Sequence, residues 1–74
     1  PEMKVDSLLL KISNKYKNYK PITIDGVKIN FENSWVHLRK SNTEPIIRIY
    51  TEADSKNKAH ELAKKFIEEL KKII

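Results

Sequence analysis

The chain contains no cysteine. Disulfides therefore cannot staple it, and thiolate metal sites are excluded. No apolar run approaches the ~20 residues that a membrane-spanning helix needs, and no signal-peptide pattern is visible. Internal repeats, low-complexity tracts and long linkers are absent as well. Glycine occurs once, at Gly26, and proline at Pro1, Pro21 and Pro45. With so few backbone specialists, the position of each one carries weight.

Seventy-four residues make a single domain, expected to cover 1–74, with a modest core and a stability of only a few kcal/mol, roughly the scale for this size. The missing cysteine suits a reducing compartment, and a cytoplasmic location is the expectation. The chain opens on Pro1 with no initiator methionine, which predicts a processed chain or a piece of something longer. Lys and Arg total 15 against 10 Asp and Glu, a formal net charge of +5. A basic domain attracts polyanions, so nucleic acid has to be considered. Most of these cations, however, are lysines spread over helical segments with glutamates between them, the pattern of a solvated helix face.

Apolar residues at Val5, Leu8, Leu9, Ile12 and Tyr16 follow the offsets of one helical face and predict a helix over about residues 3–17. Asp6 or Ser7 is expected near its start. Asn14 and Asn18 weaken its end, and Pro21 closes the break while pushing Lys20 toward an extended conformation. Ile22, Thr23 and Ile24 read as a short strand. Asp25-Gly26 is placed at a turn needing positive φ. Val27, Ile29 and Phe31 then alternate with Lys28, Asn30 and Glu32, a strand with one wet face. After a turn at Asn33-Ser34, residues 35–40 put Val36 and Leu38 on one face and Trp35, His37 and Arg39 on the other. Residues 46–51 form the next strand, with Ile47 and Ile49 opposing Ile46, Arg48 and Tyr50.

The last element is the most regular. Asp54 or Ser55 caps it by accepting a bond from an orphan amide. Ala59, Leu62, Ala63, Phe66, Ile67, Leu70, Ile73 and Ile74 follow at helical spacing, with Glu61 and Lys65, and Glu68 and Lys72, as i, i+4 pairs. The order helix, three or four antiparallel strands, helix predicts an α+β fold. Its economical form is an antiparallel sheet of about four strands with both helices packed on the same face.

Between the last two strands lies the run Arg39-Lys40-Ser41-Asn42-Thr43-Glu44-Pro45. A planar cation, two hydroxyls and a side-chain amide fall within five residues. Arg39 can offer two parallel N–H donors, Ser41 and Thr43 hydroxyl hydrogens, and Asn42 an amide N–H. A left-handed turn at Asn42 would aim successive amides at one point as an anion nest. A phosphate, with several acceptor oxygens and about two negative charges, fits this donor set best. Glu44 fits badly beside a phosphate and is expected to point away, toward Arg48 or a sugar hydroxyl. The same Ser, Asn, Thr and Pro residues also suit an ordinary ST-turn or Asx-turn, and chemistry alone leaves that alternative open.

That run, followed by Ile46-Ile47-Arg48-Ile49-Tyr50-Thr51-Glu52-Ala53, resembles the signature of the α-D-phosphohexomutases: phosphoglucomutases, phosphomannomutases and phosphoglucosamine mutases. The resemblance extends upstream through Asp25-Gly26-Val27-Lys28-Ile29 and Trp35-Val36-His37-Leu38 and downstream into the last helix, covering roughly residues 22–74. It implies the C-terminal domain of a four-domain enzyme, with a fold likened to half of the TATA-binding protein. It implies Arg39, Ser41, Asn42 and Thr43 as ligands of the sugar phosphate's nonreacting end, with Glu44 and Arg48 supporting the loop and Lys40 contributing only charge. The implied partners are a hexose phosphate and the enzyme's other domains, with neither membrane nor nucleic acid. The implied reaction is phosphoryl transfer between the 1- and 6-positions by way of a phosphoserine, with Mg2+ bound by another domain. Asp6, Asp25 and Asp54 are explained as caps or turn residues, and no serine has the family's phosphorylation motif, so this fragment is expected to be inactive alone.

His37 shares a strand face with Arg39 and is expected to find a cross-strand partner, while His60, among charged residues, is expected in solvent. Neither has a second histidine at ligand spacing, so no metal site is expected. Trp35 is read as a packing residue on the sheet's second face or a domain contact. The competing class is a small basic nucleic-acid-binding module. Against it stands the lack of the interleaved aromatics that RNA-binding sheets use for stacking.

Overall fold

The computed structural model describes residues 2–41 and 46–73, with side chains from residue 5 onward within them. Helix α1 spans Glu2–Lys15, and its apolar stripe does what the spacing requires. Val5, Leu8, Leu9, Ile12 and Tyr16 are all buried, while Leu10, off the stripe, stays exposed. Because the helix begins at Glu2, Asp6 lies inside its first turns and is not a cap. Its carboxylate instead sits 3.4 Å from Lys40 Nζ.

The helix ends in a tighter 3-10 turn, Lys17–Tyr19, closed by Lys20 in the left-handed region with φ 54° and ψ 63°. The extended conformation expected for Lys20 is therefore not adopted. Pro21 disfavours the right-handed helical region for the residue before it, but the orphan carbonyl of Lys17 still needs a donor. Lys20 N–H supplies it at 3.0 Å. That bond offsets a left-handed cost of roughly 1–2 kcal/mol for a residue with a Cβ.

Three strands follow among the described residues: β1 Val27–Asn30, β2 Trp35–Lys40 and β3 Ile47–Glu52, antiparallel in the order β1-β2-β3. The fourth strand expected near residues 22–24 is reduced to a single bridge, Ile22 with Lys28. Pro21 has no N–H to extend that pairing, and Ile24 is almost wholly exposed, so no face holds the segment to the sheet. The register aligns Val27 with Leu38 and Leu38 with Ile49, and Ile29 with Val36. These residues form the inner face, where Val27, Ile29, Val36 and Leu38 are buried.

Helix α2, Lys56–Ile73, returns over that same face, packing on β3 and on α1, while α1 also touches β1 and β2. Ser55 is its cap: Lys58 N–H donates to Ser55 Oγ at 3.2 Å. Thr51 Oγ1 donates to the Ala59 carbonyl at 2.8 Å and pins β3 to the helix. On the exposed side, Glu68 reaches Lys71 (3.8 Å), three residues on, where Lys72 was expected. Phe66 is fully buried amid Tyr16 and Phe31, with ring centroids 5.2 and 6.3 Å away. Ile74, counted with this helix in the sequence, lies outside the described residues.

One charged residue is part of this core. Glu69 is buried and accepts a hydrogen bond from the Tyr16 hydroxyl and an ion pair from Lys15 Nζ. Burial works to raise the Glu69 pKa, but the bonds from Lys15 and Tyr16 and the charges of Lys15 and Lys65 outweigh it. The carboxyl titrates below its ordinary value. Tyr16 is pushed upward, by burial first and then by the bond to Glu69 and that residue's charge. For an acid whose folded pKa is depressed, the stabilisation is complete above the unfolded-chain value and disappears as pH falls through the folded one. Glu69→Gln is therefore expected to flatten the acid side of the stability profile. Urea midpoints taken between about pH 6 and pH 3 check this, and a slope identical to the parent's would contradict it.

Candidate functional site

The helices cover one face of the sheet, and the other face is open. Strand alternation sends Lys28 and Asn30 of β1, Trp35, His37 and Arg39 of β2, and Arg48, Tyr50 and Glu52 of β3 to it. Cross-strand rows join Lys28, His37 and Tyr50, then Asn30, Trp35 and Glu52, and finally Arg39 and Arg48. Much of this face is internally satisfied. Trp35 Nε1 donates to Glu52 Oε1 at 3.0 Å, and Lys28 Nζ lies 4.7 Å from the Trp35 ring centroid.

Arg39 is the last outward side chain of β2 before the turn to β3. Its guanidinium Nη2 donates to Asp25 Oδ2 at 3.0 Å. Both side chains are about half exposed, so the pair itself contributes at most about 1 kcal/mol to stability. Arg48 stands directly across from Arg39 in register. Two like charges facing each other across a ladder repel, and Asp25 supplies a nearby negative charge. Lys40, one residue on, belongs to the opposite face, which is why it meets Asp6 of α1.

Ser41 is buried, and its N–H donates to the Ile46 carbonyl at 3.0 Å, closing the base of the β2–β3 turn. Asn42, Thr43 and Glu44, with Pro45, lie outside the described residues. Of the residues singled out from the sequence, the structure places Arg39 and Arg48 opposite each other in the ladder, with Ser41 just past the end of β2.

His37 finds its partner in a backbone. Its Nε2 is 2.6 Å from the Asp25 carbonyl oxygen, and since a carbonyl only accepts, Nε2 carries the proton and donates. Its ring is also 6.4 Å from that of Tyr50, its neighbour across the ladder. His60 is exposed. Among the described residues no three of His, Asp and Glu cluster as a metal site would need, and no helix is long and apolar enough to cross a membrane.

Asp25 and Glu69 were missed as partners. Asp25 had only been assigned to a turn, and nothing local shows that the turn folds back onto Arg39. Glu69 carried a usable signal: it lies three residues after Phe66 and four before Ile73, on the edge of the buried stripe.

Residues 2–69 match the model of the phosphoglucomutase/phosphomannomutase C-terminal domain, and the chain belongs to that family. A phosphoglucosamine/phosphogalactosamine mutase of Sulfurisphaera tokodaii is 46% identical over 76 residues, an alignment covering 100% of this chain and 16% of the relative. A phosphoglucomutase/phosphomannomutase of Thermococcus kodakarensis is 58% identical over 45 residues, 61% of this chain and 10% of its own length. A phosphoglucosamine mutase of Methanocaldococcus jannaschii is 44% identical over 54 residues, 73% of this chain and 12% of its own. The chain thus spans between 10% and 16% of the length of these three relatives.

Proposed function

We propose that residues 1–74 are the substrate-phosphate-binding C-terminal domain of a phosphohexomutase that interconverts hexose 1-phosphates and hexose 6-phosphates. The observation that carries the reading is the pair Arg39 and Arg48, in register at the end of β2 and the start of β3, bracketing the donor-rich turn. Arg39, Ser41, Asn42 and Thr43 bind the phosphate remote from the reacting end, and Glu44 and Arg48 support the loop. Relatives named as phosphoglucosamine mutase and as phosphoglucomutase/phosphomannomutase support the reaction class.

The domain's share of the chemistry is positioning. Binding energy gathered at a nonreacting phosphate orients the sugar and helps close the cleft, which lowers the barrier at a distant centre. The family resemblance assigns Mg2+ to another domain, and no step here passes through it.

The test is a titration of the 74-residue chain with glucose 6-phosphate, following the backbone amides of residues 41–44 by NMR. Their selective shift is expected, at an affinity of about millimolar because most of the cleft is absent. Hydrogen bonds to a charged group are worth about 1.5–3 kcal/mol, so Arg39→Ala should weaken binding at least tenfold. Equal affinity in that variant would remove the assignment. A nucleic-acid-binding module would instead bind an oligonucleotide with steep salt dependence. The placement of Lys28 Nζ over the Trp35 ring speaks against stacking on that face.

A further inference from the structure

The turn at Asp25-Gly26 is held by three consecutive residues of β2. His37 donates from Nε2 to the Asp25 carbonyl at 2.6 Å. Gly26 approaches so closely that a Cβ there would lie 2.1 Å from the Leu38 carbonyl oxygen and 3.2 Å from Arg39 Cα. Arg39 then donates from Nη2 to the Asp25 carboxylate at 3.0 Å. The turn immediately precedes the start of β1, and it meets β2 near that strand's C-terminal end, just before Ser41.

We propose that Asp25 is a positioning residue for the phosphate site: it holds the Arg39 guanidinium at a fixed angle, with His37 and Gly26 holding Asp25 in place. An arginine side chain is long and loses much rotamer freedom when it binds. A carboxylate that orders it beforehand removes that cost from the binding step, provided that donors remain for the ligand. A guanidinium has five N–H donors, so one bond to Asp25 leaves the fork usable. The carboxylate also offsets the charge of Arg48 across the ladder, which would otherwise push the guanidinium aside. The inference rests on the phosphate-binding reading above, which its test can separate from it.

Two quantities are measured in the 74-residue chain: the heteronuclear NOE of the Arg39 Nε–Hε group without ligand, and the dissociation constant for glucose 6-phosphate. Asp25→Ala should lower the NOE toward that of a freely rotating side chain and weaken binding about three- to tenfold, with the amide shifts of Val36 and Leu38 unchanged. Asp25→Asn keeps an acceptor oxygen at the same place and should restore most of both. Added to Arg39→Ala, the Asp25→Ala change should have no further effect on affinity; a purely structural role would persist in that background. An unaltered Arg39 NOE in Asp25→Ala would overturn the proposal, as would tighter binding, which would make the carboxylate a competitor of the phosphate. Should the parent chain not bind glucose 6-phosphate, the phosphate reading falls, and the NOE alone decides whether Asp25 orders Arg39.

Discussion

Replacing Gly26 by alanine is expected to lower the melting temperature of the chain by roughly 10–25 °C, taking about 4–8 °C per kcal/mol for a domain of this size. Two costs combine. Gly26 has φ +70°, a region that charges a residue with a Cβ about 1–2 kcal/mol. The added Cβ would also stand 2.1 Å from the carbonyl oxygen of Leu38. That oxygen belongs to the central strand, so it cannot withdraw without disturbing its ladder pairing. Asparagine separates the two costs: it tolerates positive φ better than alanine, but it carries the same Cβ. Gly26→Asn should therefore keep the steric loss and recover part of the φ cost, melting between Gly26→Ala and the parent. Thermal melts followed by circular dichroism decide the matter, and a drop below about 5 °C for alanine would mean that the turn yields easily.

Phe66→Ala should be at least as severe. Phe66 is fully buried and is the largest such side chain in the core, touching Tyr16 just past α1 and Phe31 just past β1. Truncations of this kind cost about 3–5 kcal/mol, comparable to the whole stability a single small core supplies, roughly 3–5 kcal/mol. The variant is expected to lose its cooperative urea transition at room temperature. Phe66→Leu, which leaves a smaller void, should retain a transition at a lower midpoint. A Phe66→Ala protein with an ordinary sigmoidal melt would show that the rings of Tyr16 and Phe31 collapse into the space.

These two positions were legible to different degrees. Phe66 followed from helical spacing alone, and so did the buried stripe of α1. β2 was placed at residues 35–40 because its alternation of apolar and polar residues is unbroken. Gly26 was recognised as needing positive φ, yet its contact with Leu38 comes from the fold of the turn over β2, which no local pattern encodes. The same limit explains Lys20: the preference of a residue before proline was applied without the carbonyl of Lys17 that needed a donor. It also explains Asp6, read as a cap although the helix starts earlier. The stretch at residues 22–24 looked strand-like by composition, but a strand also needs a partner and a covered face, and Ile24 has no cover. For the candidate site, residue types and spacing named Arg39 and Ser41, and the family resemblance named Arg48. That Arg39 and Arg48 stand opposite each other is a matter of register, and that Asp25 meets Arg39 is a matter of tertiary folding.

The cluster of buried Tyr16 and Glu69 with the half-exposed Lys15 bears on how the two helices are aligned. Leucines and isoleucines packed against each other tolerate small axial displacements, because one methyl group serves nearly as well as the next. Sliding α2 along α1 by one helical turn, about 5.4 Å, would leave the carboxylate without its phenol and ammonium, an arrangement the interior punishes heavily. The trio therefore works as an index pin: greasy surfaces press the helices together, and a single acid determines where along their length they stop.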